Sequence, residues 1–320
     1  IELLESLFSL SETRSIVFVN IFRPYHKETG DRIIETSRER NPEYYVEITL
    51  QPLNEQHTEI LINNMLNIKG LYHGIKDKII QRAGGNPFFI EEVLRSFMDE
   101  GVLIQNKGTF QVAERINTIT IPYTIQDVLM ARLDRLDEEM RSLVKIASVI
   151  GRNFFHRILT EVATEVKDID DKVSYLKKIQ LFRERKRMGE IEYIFKHALA
   201  QEVAYESILP VKCRELHLRV ARSIEKVFSD RLYEFYGMLA YHYSKAEDPT
   251  KAEEYLIQAG EEALKSSASN EALYYYQEVL RLQLKKNGDD TDPEKVAMME
   301  KNIALALYNR GLHAESLEHF

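Results

Sequence analysis

Three places in this sequence carry residues of a type and spacing that could do chemistry. Gly84-Gly85-Asn86-Pro87 is a sharp turn ending in a proline, whose ring offers a rigid apolar edge to a flat ligand. Arg23 follows directly on an apolar run, and its guanidinium is a fixed fork of donors suited to an anion. His197 closes a short apolar stretch and could donate to an anion in turn. Each also has a plainer use. Proline is favoured in a first helical turn whatever lies nearby, arginine is common at strand ends, and a histidine can pack in a core on a backbone partner.

Other chemistry finds no footing. There is no Gly-x-x-x-x-Gly-Lys-Ser/Thr loop to cradle phosphates, and no apolar strand ending in paired acidic residues to hold magnesium. His-Glu-x-x-His and Gly-x-Ser-x-Gly are both missing, and the nine histidines are scattered without ligand spacing. Carboxylate pairs such as Glu91-Glu92 and Glu253-Glu254 read as solvated helix faces. The catalytic and metal-binding sets are therefore empty, and this piece alone should not hydrolyse a nucleotide.

The 320 residues, 44% hydrophobic and 29% charged, can bury several cores. Forty-three Lys and Arg against 51 Asp and Glu give a net charge of -8, which argues against attachment through phosphates or anionic lipid. Cys213 is the only cysteine, so internal disulfides and zinc-spaced clusters are excluded and a cytoplasmic location is expected. No apolar run reaches the ~18 to 20 residues of a membrane span. The chain starts on Ile1 inside a helical pattern without a capping residue, which reads as a fragment of something longer.

The elements that must position these residues fall into four stretches. In 1–53, Ser15 to Ile21 and Tyr45 to Leu50 suit buried strands, with a helix from Gly30 to Arg40 between them. In 54–122 the period turns helical on both sides of the Gly-Gly-Asn-Pro turn, and Val102 to Pro122 is an irregular connector. In 123–209, helices at Thr124 to Leu136, Asp137 to Ile150, Phe154 to Val162 and Ile169 to Ile179 precede two strands, Leu181 to Arg185 and Ile191 to Phe195. The last three of these helices and the β-hairpin make a winged helix.

From 210 to 320 helices follow one another on short links. Ala240, Tyr243, Ala252 and Ala259 fit a tetratricopeptide spacing, as more loosely do Ala304, Gly311, Ser316 and Phe320, so the register stays open. An irregular helical bundle is the alternative.

Three stretches carry a family resemblance: AGGNPFFIEEVLRSFMDEGV from Ala83, IPYTIQDVLMARLDRLDEEMRSLVKIASVIGRNFF from Ile121, and FKHALAQEVAYESI from Phe195. They resemble the signal-transducing ATPases with numerous domains, in the branch found with nucleotide cyclase or kinase modules. That resemblance implies a mainly α fold: the end of an α/β phosphate-loop ATPase domain, a helical lid, a winged helix and an α-solenoid of tetratricopeptide-like hairpins.

The same resemblance implies ATP or ADP as cofactor, with magnesium held by residues outside this chain. Arg23, Gly85, Asn86, Pro87 and His197 would be the binding residues: Arg23 on the terminal phosphate, Pro87 against the adenine, His197 on a phosphate of ADP. His197 matches the histidine of the Met-His-Asp-Leu segment in related switches, whereas Lys196 and Ala198 replace its Met and Asp. The parent protein would be an ATPase linked to a cyclase or kinase.

Three functions compete on these residues. One is a regulatory ATPase segment whose repeats sense a protein or small ligand, with a nucleotide-dependent oligomer as a further implication. A second is a winged-helix DNA-binding regulator using Arg183, Arg185, Lys186 and Arg187, against which Asp168, Asp170 and Asp171 crowd the presumed recognition helix. The third is a protein-interaction scaffold whose nucleotide pocket has decayed, which Ala198 favours.

Overall fold

The computed structural model describes residues 2–22, 30–40, 42–66, 73–106, 109–112, 121–187, 189–287 and 292–319. It is mainly α-helical. The chain opens with α1 (Glu2–Phe8), α2 (Leu10–Thr13) and α3 (Arg32–Arg40), then enters α4 (Glu55–Leu66), α5 (His73–Ala83) and α6 (Pro87–Asp99), the helices of the stretch expected to be a lid. Strands β1 (Leu103–Asn106) and β2 (Thr109–Val112) follow as an antiparallel hairpin.

The winged helix is built from α7 (Ile125–Asp134), α8 (Glu138–Ile150), β3 (Asn153–Phe155), α9 (His156–Val162), α10 (Ile169–Lys178), β4 (Phe182–Arg187), β5 (Glu190–Phe195) and α11 (Ala198–Glu206). Its sheet has the order β3-β5-β4, antiparallel throughout, with Phe154 opposite Tyr193 and Arg185 opposite Glu192. The arm continues through α12 (Pro210–Val227), a 3-10 turn at Leu232–Phe235, α13 (Tyr236–Lys245), α14 (Pro249–Lys265), α15 (Ser269–Asn287), α16 (Pro293–Asn309) and α17 (His313–Glu318).

Local chemistry sets these boundaries. Asn86, Thr124, Asp137, Asp248 and Asp292 each turn a side-chain oxygen onto the free N–H groups of the helix that follows. Gly151, at φ 140°, lets the chain leave α8 and enter β3 at once.

Two expected strands do not form. The 15–21 and 45–50 segments are extended but unpaired, and their apolar residues face solvent, with Val17 85% and Leu50 86% exposed. A continuous apolar run becomes a buried strand only beside other strands, and none of the described residues supplies one. Conversely, the connector expected at 102–122 holds the β1–β2 hairpin, and β3 precedes the helix expected from Phe154.

Small residues bring neighbouring helices of the arm close together. A Cβ on Gly260 would come within 2.6 Å of the Tyr276 ring, so α14 and α15 approach through a residue with no side chain. Ser316 Oγ on α17 donates to the Ala304 carbonyl on α16 at 2.8 Å. Ala272 and Ser316 each lie twelve residues after the small residue of the preceding helix. Ala252 likewise lies twelve residues after Ala240, and both are buried, so the spacing pairs α13 with α14 as well as α14 with α15.

Two cores result. One gathers α4, α5, α6, Leu103, Ile121 and Val128; the other runs without a break from Leu129 to Leu307 through the winged helix and the arm.

Candidate functional site

The start of α6 is fixed by its sequence. Gly85, at φ 74°, accepts the Leu53 amide at 2.8 Å, and a Cβ there would collide with the Leu53 carbonyl at 2.2 Å. Asn86 then accepts from the amides of Phe88 and Phe89, at 3.0 and 3.4 Å. Pro87 is the first helical residue, where a missing N–H costs nothing, and its ring is exposed.

The next residue reaches across to the winged helix. Phe88 stacks on His197 with ring centroids 4.0 Å apart and planes at 30°, and it packs against the winged-helix core rather than the lid core. His197 thereby joins the same seam as the Gly-Asn-Pro turn. Its Nε2 is buried and has no hydrogen-bond partner among the described residues. Burial, reinforced by the Lys196 ammonium, pushes the imidazole down to about 4, so the ring is neutral near pH 7. Of the five residues expected to bind, Gly85, Asn86, Pro87 and His197 cluster at this seam; Arg23 lies outside the described residues.

One turn further along α6 the seam becomes ionic. Glu92, only 1% exposed, accepts from Arg132 of α7 at 2.6 Å, and the same guanidinium donates to the Ile179 carbonyl at the end of α10 and lies 3.3 Å from Asp99. Glu91 accepts from Lys196 and Arg95, at 2.6 and 2.7 Å, and both cations also donate to the Gln180 side chain. Burial pushes the Glu91 carboxyl up, but the bonds from Lys196 and Arg95 outweigh it and hold the group at about 2. Arg135 completes the row through Ser96 and Glu100.

The expectation that Glu91 and Glu92 face solvent is therefore wrong, as it is for Glu253, which is buried against Lys295. The missed signal is their register: Glu92 sits one position before Val93, inside the stripe of Phe89, Val93 and Phe97 that builds the lid core.

Glu91, Glu92 and His197 each place one donor atom within 4.8 Å of the others, which is metal-ligand spacing. Lys196, Arg95 and Arg132 already contact both carboxylates, and a dication among three cations would meet net repulsion. The cluster is an ionic clamp. A cavity of about 10 Å³ lies beneath Arg132 between Leu129, Leu133 and Ile179, room for about one water.

The basic residues of the wing are exposed along β4, but two of them are already paired within the protein. Arg185 and Arg187 both pair with Glu192, buried on β5, and Lys177 holds Glu184 at 2.6 Å. Asp168, Asp170 and Asp171 stand exposed at the start of α10, the end of a recognition helix that would meet bases.

No protein-family model matches the chain. A protein of Rhizobium meliloti (strain 1021), itself described as uncharacterized, is 24% identical over 254 residues, covering 76% of this chain and 24% of its own length. Among solved structures, a signal transduction ATPase with numerous domains carrying a tetratricopeptide repeat sensor, from Pyrococcus horikoshii, matches 86% of this chain and 54% of its own. It does so at 14% identity and a TM-score of 0.35. The chain thus spans about a quarter of that curated relative and about half of that solved one. Neither assigns a role to any residue here. Among the described residues no helix is long and apolar enough to cross a membrane.

Proposed function

We propose that this chain is the lid, winged helix and sensor arm of a nucleotide-switched signalling ATPase. The nucleotide would lie against the exposed edge of Pro87, with His197 turning a ring N–H to a phosphate. The observation that carries this is the unspent Nε2 of a neutral histidine, held by Phe88 at the mouth of the Gly-Asn-Pro turn. A buried polar atom without a partner calls for one, and a phosphate oxygen supplies it.

Four stretches of the chain then take distinct parts: 1–53 the end of the ATPase domain, 54–122 the lid, 123–209 the coupler and 210–320 the arm. The arm would take a protein partner or small ligand along its helical hairpins. Lid and winged helix clamp together in one arrangement, and a nucleotide that touches both prefers that arrangement. Its differential affinity is what moves the arm.

The test is ATP and ADP binding by the complete protein. Pro87→Ala and His197→Ala should each weaken binding about tenfold, which is ~1.4 kcal/mol. Affinities unchanged in both variants would overturn the proposal. A salt-sensitive shift of duplex DNA by the same protein would instead favour the winged-helix regulator.

A further inference from the structure

A second polar cluster, built on two fully buried histidines, lies where the arm meets the winged helix, and the nucleotide proposal makes no use of it. Tyr205 on α11 hydrogen-bonds His217 Nε2 on α12 at 2.9 Å, and His217 Nδ1 meets His242 Nδ1 on α13 at 2.8 Å. Both histidines are 1% exposed. His242 Nε2 has no hydrogen-bond partner within range among the described residues, while the backbone of Ile150, at the end of α8, acts on the same ring.

Proton counting fixes the state of this chain. A neutral imidazole carries one N–H. With the Tyr205 hydroxyl donating to Nε2, the His217 proton sits on Nδ1 and is donated to His242 Nδ1. The proton of His242 then sits on Nε2. These tautomers follow from the network rather than from observed hydrogens.

Among the described residues the surroundings offer no anion. Tyr205 lies beside the Cys213 thiol of α12, the Tyr241 ring of α13 stands edge-on to His217 at 5.7 Å, and Lys245 of α13 disfavours charge on His217. No carboxylate among the described residues acts on either ring.

We propose that the Tyr205–His217–His242 chain is an acid-sensitive latch, seating the arm on the winged helix only while both imidazoles are neutral. One added proton places an uncompensated charge in a dry seam. A second sets two N–H groups head-on at 2.8 Å. Opening the seam lets water reach the rings, which then take protons near their ordinary value, so acid draws the equilibrium toward the open form.

The sign follows from burial, which pushes His217 to about 4 and His242 to about 3. Both lie below the ordinary 6.5, so the latch is fully effective above pH 6.5 and weakens as pH falls toward those values.

The experiment is amide hydrogen exchange of α12 and α13 in the full chain at pH 7 and 5.5, corrected for intrinsic rates. Opening should rise on the order of tenfold for each ring over that interval. A His217→Gln, His242→Asn variant keeps polar groups that do not titrate and should open equally at both values. Should that variant not fold, ring nitrogen NMR of the unaltered chain decides, with both imidazoles expected neutral at pH 5.5. Rings titrating near 6.5 in the folded chain, or a variant that opens with acid as the parent does, would overturn the latch.

Discussion

The winged helix meets its two neighbours through different chemistry. Toward the arm one apolar core, running from Leu129 to Leu307, is continuous across the seam, with Phe155, Phe228 and Phe235 meeting at 4.3 to 6.0 Å; the Tyr205–His217–His242 chain lies within that seam and ion pairs such as Lys226–Glu161 and Arg219–Glu165 cross it. Toward the lid two cores face each other, joined by the Phe88–His197 stack, by the ion pairs of Glu91 and Glu92, and by α7, whose Val128 lies in the lid core and whose Ile125 packs against both. A packed apolar core resists sliding, because separating it exposes surface to water. Charged pairs separate at lower cost, since water solvates each partner once they part. Near neutral pH, with the histidine latch closed, the winged helix and arm should therefore move as one body, and the lid seam is the joint.

The largest test of that contrast is in the apolar seam. Phe228→Ala removes a fully buried ring and should cost about 3 to 5 kcal/mol. Chemical denaturation followed separately by probes in the winged helix and the arm should show both shifting together. Separate midpoints for the two probes would break the comparison.

Next comes the buried ion pair of the lid. Glu92→Ala leaves the Arg132 guanidinium, 6% exposed, without its main partner and should cost about 3 kcal/mol. Proteolysis should then cut the lid faster while the arm stays protected. Replacing both, as Glu92→Leu with Arg132→Met, should recover most of the loss, because two apolar groups need no compensation.

What the sequence disclosed divides along the same line. The helices and wing of 123–209 were legible because caps such as Thr124 and Asp137 and an apolar period point to one answer. The arm's register was not, since small residues recur at one spacing in successive helices: Ala240 and Ala252, like Gly260 and Ala272, are twelve apart. Strand propensity misled at 15–21 and 45–50 because pairing depends on a partner, which a single segment does not encode. In the β1–β2 hairpin the opposite happened: alternation from Leu103 to Val112 around Asn106 and Gly108 was a usable hairpin signal.

Of the candidate site, the Gly85 turn and His197 were readable as special residues. The clamp was not. Glu91, Glu92 and Lys196 look like ordinary surface charges until α6 is laid on the winged helix, and their partners lie 40 to 105 residues away.

A smaller effect sharpens the ionic side of the contrast. Lys196→Glu should cost ~1 to 2 kcal/mol of lid closure, and adding Glu91→Lys should return most of it, with the remainder lost through Arg95. Hydrogen exchange across α6 reads both variants. Raising salt should weaken the seam less than it weakens an exposed pair, because the Lys196 side chain is only 10% exposed.

The smallest effect near neutral pH is the titration of the lid seam. His197, at about 4, lies below its ordinary value, so its contribution is complete above pH 6.5 and is lost as pH falls toward 4. Glu91, at about 2, contributes fully above its ordinary 4.5 and loses its share only as pH falls toward 2. Lid exchange should thus quicken in two separate acid steps, with no change between pH 8 and 7. His197→Gln should remove the first step and leave the second. A single step at the Glu91 position in the unaltered chain would mean that the stacked histidine does not bind lid to winged helix, and the joint would rest on charge alone.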